Sequence, residues 1–178
     1  PITAGRDKSI NLINDAYAAG KIIGVVAQKN EEIEDPTKND IHQIGTVARI
    51  LRVLKMPDGN VTVILQGKKR FKIESVVSET PYFTANIKDV AEKRPTKKDT
   101  EFLAILDSVR ELAIQIIKEN PNIPSEATFA IKNIESQSFL INFVTSNMSL
   151  SVEEKQNLLS INSLKDRALE TLRYMNTE

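Results

Sequence analysis

His42 is the only histidine in the chain, so any Ser-His-Asp hydrolase built from these residues must use it. It stands beside Ile41 at the entrance to an apolar run, and no nucleophile-elbow pattern occurs anywhere. We therefore expect a structural or surface histidine. Glu31, Glu32, Glu34 and Asp35 form a dense acidic group of the hard oxygen ligands that a divalent cation prefers. They lack the alternating ligands and central glycine of a calcium loop, so a solvated loop is the expectation. The chain has 6 glycines, but none falls in the Gly-x-x-x-x-Gly-Lys-Ser/Thr spacing that wraps phosphates with backbone N–H groups. A dinucleotide fingerprint is absent too. There is no cysteine, which excludes a disulfide framework, a thiolate zinc site and a cysteine nucleophile. No catalytic, cofactor-binding or metal-binding residue is expected in this chain.

Two basic clusters remain, Lys68, Lys69 and Arg70, and Lys93, Arg94, Lys97 and Lys98. Phe71 and Phe83 lie near them, as a nucleic-acid groove would require. Against that stand a net charge of zero, 5% aromatics and no tryptophan. Nucleic acid is not the expected partner, and these clusters are taken as solvated faces or interdomain ion pairs. The apolar stripe Phe102, Ile105, Leu106, Val109, Leu112, Ala113, Ile116 and Ile117 could serve a partner helix. Core packing explains it more simply, and the same holds for Phe139, Leu140, Phe143 and Val144.

These groups sit in a chain of 178 residues, 40% hydrophobic and 27% charged, long enough for one domain or two small ones with a real core. Residues 1–95 carry 15 basic and 12 acidic side chains, and the remainder 9 and 12. Neither half has the basic bias of a dedicated nucleic-acid binder. No apolar run approaches a membrane span of about 18 residues. No signal peptide is visible at Pro1, and a start without methionine reads as a fragment. A cysteine-free chain fits a reducing compartment, and a cytoplasmic location is expected.

The elements that position these residues fall into two sets. Residues 5–20 form an amphipathic helix, with Asp7 as N-cap, Ile10, Ile13, Ala16 and Tyr17 on one face and Gly20 as the stop. Residues 22–28 make a buried strand, and residues 29–40 a mobile polar loop. Two apolar strands, residues 44–54 and 61–67, flank a turn at Pro57, Asp58 and Gly59. Val61, Val63 and Leu65 share a face, Gly67 breaks the strand, and Phe71 and Ile73 lie on one side of the next. Residues 82–87 give one more strand. Five or so short strands and one helix argue for a curved or barrel-like sheet.

A charged, proline-interrupted stretch at residues 93–99 marks the linker between residues 1–92 and 100–178. Beyond it the period is helical. Helices are expected over the apolar stripe, from Ser125 to about Asn133, around Phe139 to Val144, from a capping box at Ser151 and Glu154, and from Ser163 onward. The last, with Leu164, Ala168, Leu172 and Met175 on one face, runs to Glu178 without a stop signal, as if it continued in a longer protein. The fold class is α+β: a β-rich lobe with one short helix, then an all-α bundle.

Several short motifs occur in a specific order: Gly5, Arg6 and Ser9; Gly24, Val25, Val26 and Gln28; Glu34, Asp35 and Pro36. Asp40, Ile41, Ile44, Gly45, Thr46, Val47 and Ala48 follow, then Pro57, Asp58 and Gly59, then Gly67 and Arg70, then Pro81 and Tyr82. In this order they resemble the N-terminal domain of Lon, the ATP-dependent protease. Lys155, Gln156, Leu158 and Leu159 extend the resemblance into the helical half. It implies a PUA-like β-rich lobe followed by a helical bundle. It also implies a region that recognises unfolded or tagged proteins and supports a homohexamer in protein quality control. The family's ATPase module, with ATP and Mg, and its Ser-Lys peptidase module have no counterpart here. One departure is plain: the Leu-Pro-Leu-Arg-type strand that usually opens the family is missing before Pro1.

Two functions are therefore weighed. The first is a non-catalytic, substrate-binding module of a Lon-type serine protease, with exposed apolar positions near the loop and sheet edge, Ile33 and Met56, as its contacts. The alternative is a stand-alone PUA-like module binding RNA or a small ligand, which the β-rich lobe alone would permit. A hydrolase using His42 is the weakest.

Overall fold

Apolar residues alternate along two neighbouring runs, and each becomes a long strand. The structure, a computed structural model, describes residues 1–177. They fall into two units, Pro1–Ala91 and Glu92–Glu178. The first contains β1 (Ile2–Ala4), α1 (Asp7–Ala19), β2 (Ile22–Val25), β3 (Ile44–Lys55), β4 (Val61–Ser78) and β5 (Thr84–Asp89). They form one antiparallel sheet in the order β1-β4-β3-β2, with β5 paired to β4. The second unit holds α2 (Thr100–Glu119), α3 (Glu126–Asn133), α4 (Gln137–Asn147), α5 (Val152–Ser160) and α6 (Leu164–Met175). The α+β class expected from the sequence is present.

The β3–β4 hairpin turns where Pro57, Asp58 and Gly59 require it. The Met56 N–H donates to the Asn60 carbonyl at 2.8 Å, and the Gly59 N–H donates to the Met56 carbonyl at 3.1 Å. Gly59 has a φ of 88°, a conformation that suits glycine. Gly67 does not end the returning strand. It pairs with Ala48, Lys69 pairs with Val47, and Lys68 is the extra residue of a β-bulge. The chain thus bends at Gly67 and the ladder continues. A second bulge leaves Leu51 extra in β3, between the Ile50–Leu65 and Arg52–Ile64 pairs.

The bulge at Lys68 has a large effect on packing. Without it, Leu65 and Phe71 would lie on one face, because both are odd-numbered along β4. With it, Leu65 pairs with Ile50 but Phe71 pairs with Gly45, and these two point to opposite faces of β3. One face carries the main core: Ala4, Ile13, Ile50, Val61 and Val63, with Ile10, Leu12 and Ala16 of α1 against it. The other carries Phe71, whose ring lies over Gly24 and Gly45. A Cβ at Gly45 would stand 2.9 Å from the ring and 2.3 Å from the Val25 carbonyl oxygen.

Several expectations need correction. β1 has no sequence signal, because three residues show no period. The N-cap of α1 is Arg6 and makes no side-chain cap; Asp7 is the first helical residue, where its charge suits the helix N-terminus. β2 stops at Val25 and is an edge strand, so Ile22 is exposed rather than buried. The fifth strand starts at Thr84, because the Tyr82 hydroxyl donates to Asp15 of α1 at 2.8 Å. The loop at residues 29–40 is braced, not loose. Lys8 pairs with Asp35 at 3.1 Å, and Asp40 accepts from the Thr37 N–H at 2.7 Å. That backbone hydrogen bond from Thr37 is the main reason the Asp40 carboxyl sits below its ordinary pKa.

In the helical unit, Asp99, Ser136, Ser151 and Ser163 accept the N–H bonds that open α2, α4, α5 and α6, and Ser151 with Glu154 makes the expected capping box. Ser125 does not cap α3; its backbone is already helical, which turns the hydroxyl away. α4 buries Leu140, Ile141 and Val144, while Phe139 is 55% exposed, so the expected apolar face is rotated. α6 ends at Met175, with the Asn176 N–H donating to Leu172 and Tyr174 carbonyls; Glu178 lies outside the described residues.

One buried charge ties this unit together. Arg167 of α6 is buried among apolar side chains and donates to Glu92 Oε1 at 2.9 Å, to Asn142 Oδ1 at 3.4 Å and to the Ile161 carbonyl at 2.8 Å. Its Nε has no partner. Glu92 also accepts from Ser138 at 2.7 Å. Burial pushes the Glu92 carboxyl up, but the Ser138 hydrogen bond and the Arg167 charge outweigh it and hold the pKa below the ordinary 4.5. The adjacent Lys93 backbone donates to Asn162 and accepts from Leu164, both at 2.9 Å.

Gly45→Ala lowers unfolding free energy in urea by about 2 kcal/mol, the usual cost of overpacking against backbone. Gly24→Ala, whose new methyl meets only the Phe71 ring at 3.1 Å, costs less. Glu92→Ala leaves Arg167 buried and unpaired and costs about 3 kcal/mol. Because the folded Glu92 carboxyl titrates below its unfolded value, its contribution is complete above pH 4.5 and is lost as pH falls through the folded pKa. A pH series of denaturation midpoints checks this, and Glu92→Ala flattens the acid limb.

Candidate functional site

The side chains that could have done chemistry are not assembled. His42 is half-buried, its N–H donates to the Ala27 carbonyl at 2.9 Å, and no hydrogen bond joins its ring to a Ser, Asp or Glu among the described residues. Glu31, Glu32 and Glu34 are exposed and Asp35 is paired with Lys8. Among the described residues, no group of three or more His, Asp or Glu is arranged to hold a metal ion. The positive-φ glycines, Gly20 and Gly59, close a helix and a hairpin turn rather than a phosphate cradle. The residues present therefore do not fit a bound nucleotide with magnesium.

The basic clusters are paired in part: Lys93, Lys97 and Lys98 are exposed. Lys69 pairs with Asp89 at 3.0 Å, and Lys68 donates to Gln66 at 3.2 Å. Arg70 donates to the Ala91 carbonyl at 3.3 Å. Of the two aromatics near these clusters, Phe71 is buried and Phe83 is half-buried. Arg94 pairs with Glu92 at 3.3 Å.

What the first unit offers instead is shaped, unreactive surface. Ile33 is half-buried at the middle of the braced loop. Its carbonyl accepts from Gln28 Nε2 at 2.9 Å and from Arg6 at 3.2 Å, which fixes its backbone. Met56 is 43% exposed at the head of the hairpin turn. The two stand on separate elements, the loop before β3 and the turn after it. Ile2, Ile22, Leu51 and Leu54 are also exposed on the sheet, and sequence alone did not single them out. The bulge that leaves Leu51 unpaired and the edge positions of β1 and β2 account for Leu51, Ile2 and Ile22, and neither has a one-dimensional signal.

In the second unit, the stripe of α2 is core, as expected: Phe102, Ile105, Leu106, Val109, Ala113 and Ile117 are buried. Phe129 of α3 is 71% exposed, and Phe139 stacks on Phe143 at 6.0 Å between ring centroids. An open pocket of about 390 Å³ lies between the end of α2 and the start of α3, lined by Ile117, Pro121, Ile123 and Thr128 among others. No helix among the described residues is long and apolar enough to cross a membrane.

The family model described as the ATP-dependent protease La (LON) substrate-binding domain matches residues 1–177. The chain is 82% identical over 178 residues to a Lon protease of Flavobacterium johnsoniae and 44% identical to one of Cytophaga hutchinsonii. In both cases all of the chain aligns, and it spans 22% of the relative's length. Its fold resembles that of the N-terminal domain of Mycobacterium avium complex Lon protease, with a TM-score of 0.76 at 18% identity, over 98% of this chain and 89% of that one. It also resembles a Lon N-terminal domain protein from Xanthomonas campestris, with a TM-score of 0.62 at 13% identity. With the family model matched over nearly its whole length, the chain belongs to the Lon substrate-binding domain family.

Proposed function

We propose that this chain is the polypeptide-receiving part of a longer, cytoplasmic, ATP-dependent serine protease that acts in protein quality control as a homohexamer. The match to the substrate-binding family over residues 1–177 carries this reading. The absence of an assembled catalytic group among the described residues is consistent with it. ATP and magnesium, and the Ser-Lys peptidase, belong on this reading to other parts of such a protein.

The mechanism is weak capture. Small apolar contacts such as Ile33 and Met56 stand on separate elements whose backbones are hydrogen-bonded. Each holds an exposed apolar segment only loosely. Several copies on one assembly raise the effective concentration of the next contact, so weak sites suffice. Unfolded proteins are the partners, because only they present apolar segments in extended form.

Titrating the 178-residue chain with a reduced, unfolded test protein and with single-stranded RNA at physiological salt tests this. The expected result is saturable polypeptide binding. Tight, salt-sensitive RNA binding without polypeptide binding would sink the proposal. Met56→Ser is expected to weaken the polypeptide by a few-fold, about 1 kcal/mol of lost apolar contact, and to change stability by less than about 0.5 kcal/mol. Ile33→Ser is expected to weaken it comparably but with some loss of stability, since Ile33 is half-buried.

A further inference from the structure

Three strands of the sheet pair on one side only along their whole length. β1 pairs only with β4, β2 only with β3, and β5 only with β4. β1 and β2 are three and four residues long, too short to template much. β5 has six residues, five of them exposed, and no hydrogen bond besides its β4 ladder reaches its backbone among the described residues. It is the longest of the three strands that pair on one side only.

A second observation concerns charge. Lys88 of β5 is directly opposite Lys72 of β4, so the two ammonium groups share one face. Like charges in that position destabilise a sheet. Neither lysine makes an ion pair or hydrogen bond among the described residues, and both are exposed. Lys69 and Asp89 pair with each other on the opposite face and do not relieve them. Glu74 fills the bulge between the Ile73–Ile87 and Ser75–Asn86 pairs and is joined to neither lysine. Two lysines without an ion pair thus stand together near a free strand edge.

Resting on the reading of the chain as a polypeptide receiver, we propose that the free edge of β5 takes an extended acidic segment of an unfolded protein as an added strand, with Lys72 and Lys88 pairing its carboxylates. Main-chain hydrogen bonds to the edge supply affinity without demanding a sequence, and the lysines supply the charge preference. Nucleic acid fits less well. It would use the charge but not the main-chain donors and acceptors, and the aromatic beside Lys72, Phe71, is buried.

The test uses the full chain and fluorescence anisotropy with three labelled peptides of about ten residues, the length of a strand. One alternates valine and glutamate, one valine and lysine, and one is the glutamate peptide N-methylated at alternate backbone nitrogens. The glutamate peptide is expected to bind at least about tenfold tighter than the lysine peptide, with the preference shrinking at high salt. The N-methylated peptide should lose most of the binding. Lys88→Glu should weaken the glutamate peptide by about tenfold without lowering the melting temperature, because it replaces a repelling cross-strand pair with an attracting one. Equal binding of both charge types, or undiminished binding of the N-methylated peptide, overturns the inference. So does displacement of the glutamate peptide by lower concentrations of oligothymidylate. If these fail while the unfolded test protein still binds, only the β5 edge is wrong; if no polypeptide binds, the broader proposal falls too.

Discussion

The ring of Phe71 sits where two neighbouring strands have no side chain, and the β-rich unit is arranged around that fit. Gly24 and Gly45 lie on one face, and the ring fills the space their missing Cβ atoms leave. The register of the long hairpin is thereby pinned. A slip of one residue would bring Ile44 or Thr46 opposite Phe71, and either side chain would collide with the ring. The same fit calls for the bulge at Lys68, which turns Phe71 to the face opposite the core under α1. Through Phe71 and its partner Asp89, it also sets where β5 joins the sheet. Two glycines, one aromatic and one inserted lysine thus decide the local geometry of three strands.

The helical unit depends on the opposite kind of constraint. Its apolar core would hold many sequences, since hydrophobic residues of roughly the right volume satisfy it. Arg167 is less tolerant. A buried guanidinium must find acceptors, and here Glu92, Asn142 and the Ile161 carbonyl supply them from a leading segment, a helix and a turn. Such a group adds little net stability compared with an apolar replacement, but it penalises every arrangement in which those acceptors are elsewhere. Lys165, bound to Asp99 and Glu101 at 3.1 Å, places the N-terminus of α6 beside that of α2 in the same way, though nearer the surface.

These constraints explain what could be foreseen from the chain. The hairpin turn, the stripe of α2 and the capping box of α5 are local, and local chemistry specifies them. The parity change at Lys68 is not local, because a bulge is defined by the partner strand. Gly67 therefore looked like a terminator when it was a bend. Phe139 looked like core because periodicity shows that a face is apolar but not how far the helix is rotated. Arg167 carried no signal at all, since a lone arginine in an amphipathic helix is normally solvated. The family, in contrast, was legible from short motifs such as the Gly45 and Pro57 regions, which the structure shows to be sites of close approach and tight turning. Such positions accept few residue types, so the residues found there are informative. The surface contacts accept many residues, and for that reason the chain alone marks them poorly.

A receiver of unfolded chains faces a physical conflict. It must offer apolar groups and open strand edges to others without offering them to its own copies. The first unit limits the risk by size, keeping β1 and β2 too short to template a partner. β5 is longer and cannot rely on size. There Lys88 stands over Lys72, and a second copy approaching in a symmetric edge-to-edge pairing would bring two more ammonium groups to the same edge. The repulsion that each molecule tolerates internally is thus raised against self-association, and an acidic stranger meets attraction at the same edge. On the proposed reading, the like-charged pair costs the fold a little and would separate self from an acidic segment by sign of charge, a distinction that apolar contacts alone cannot make.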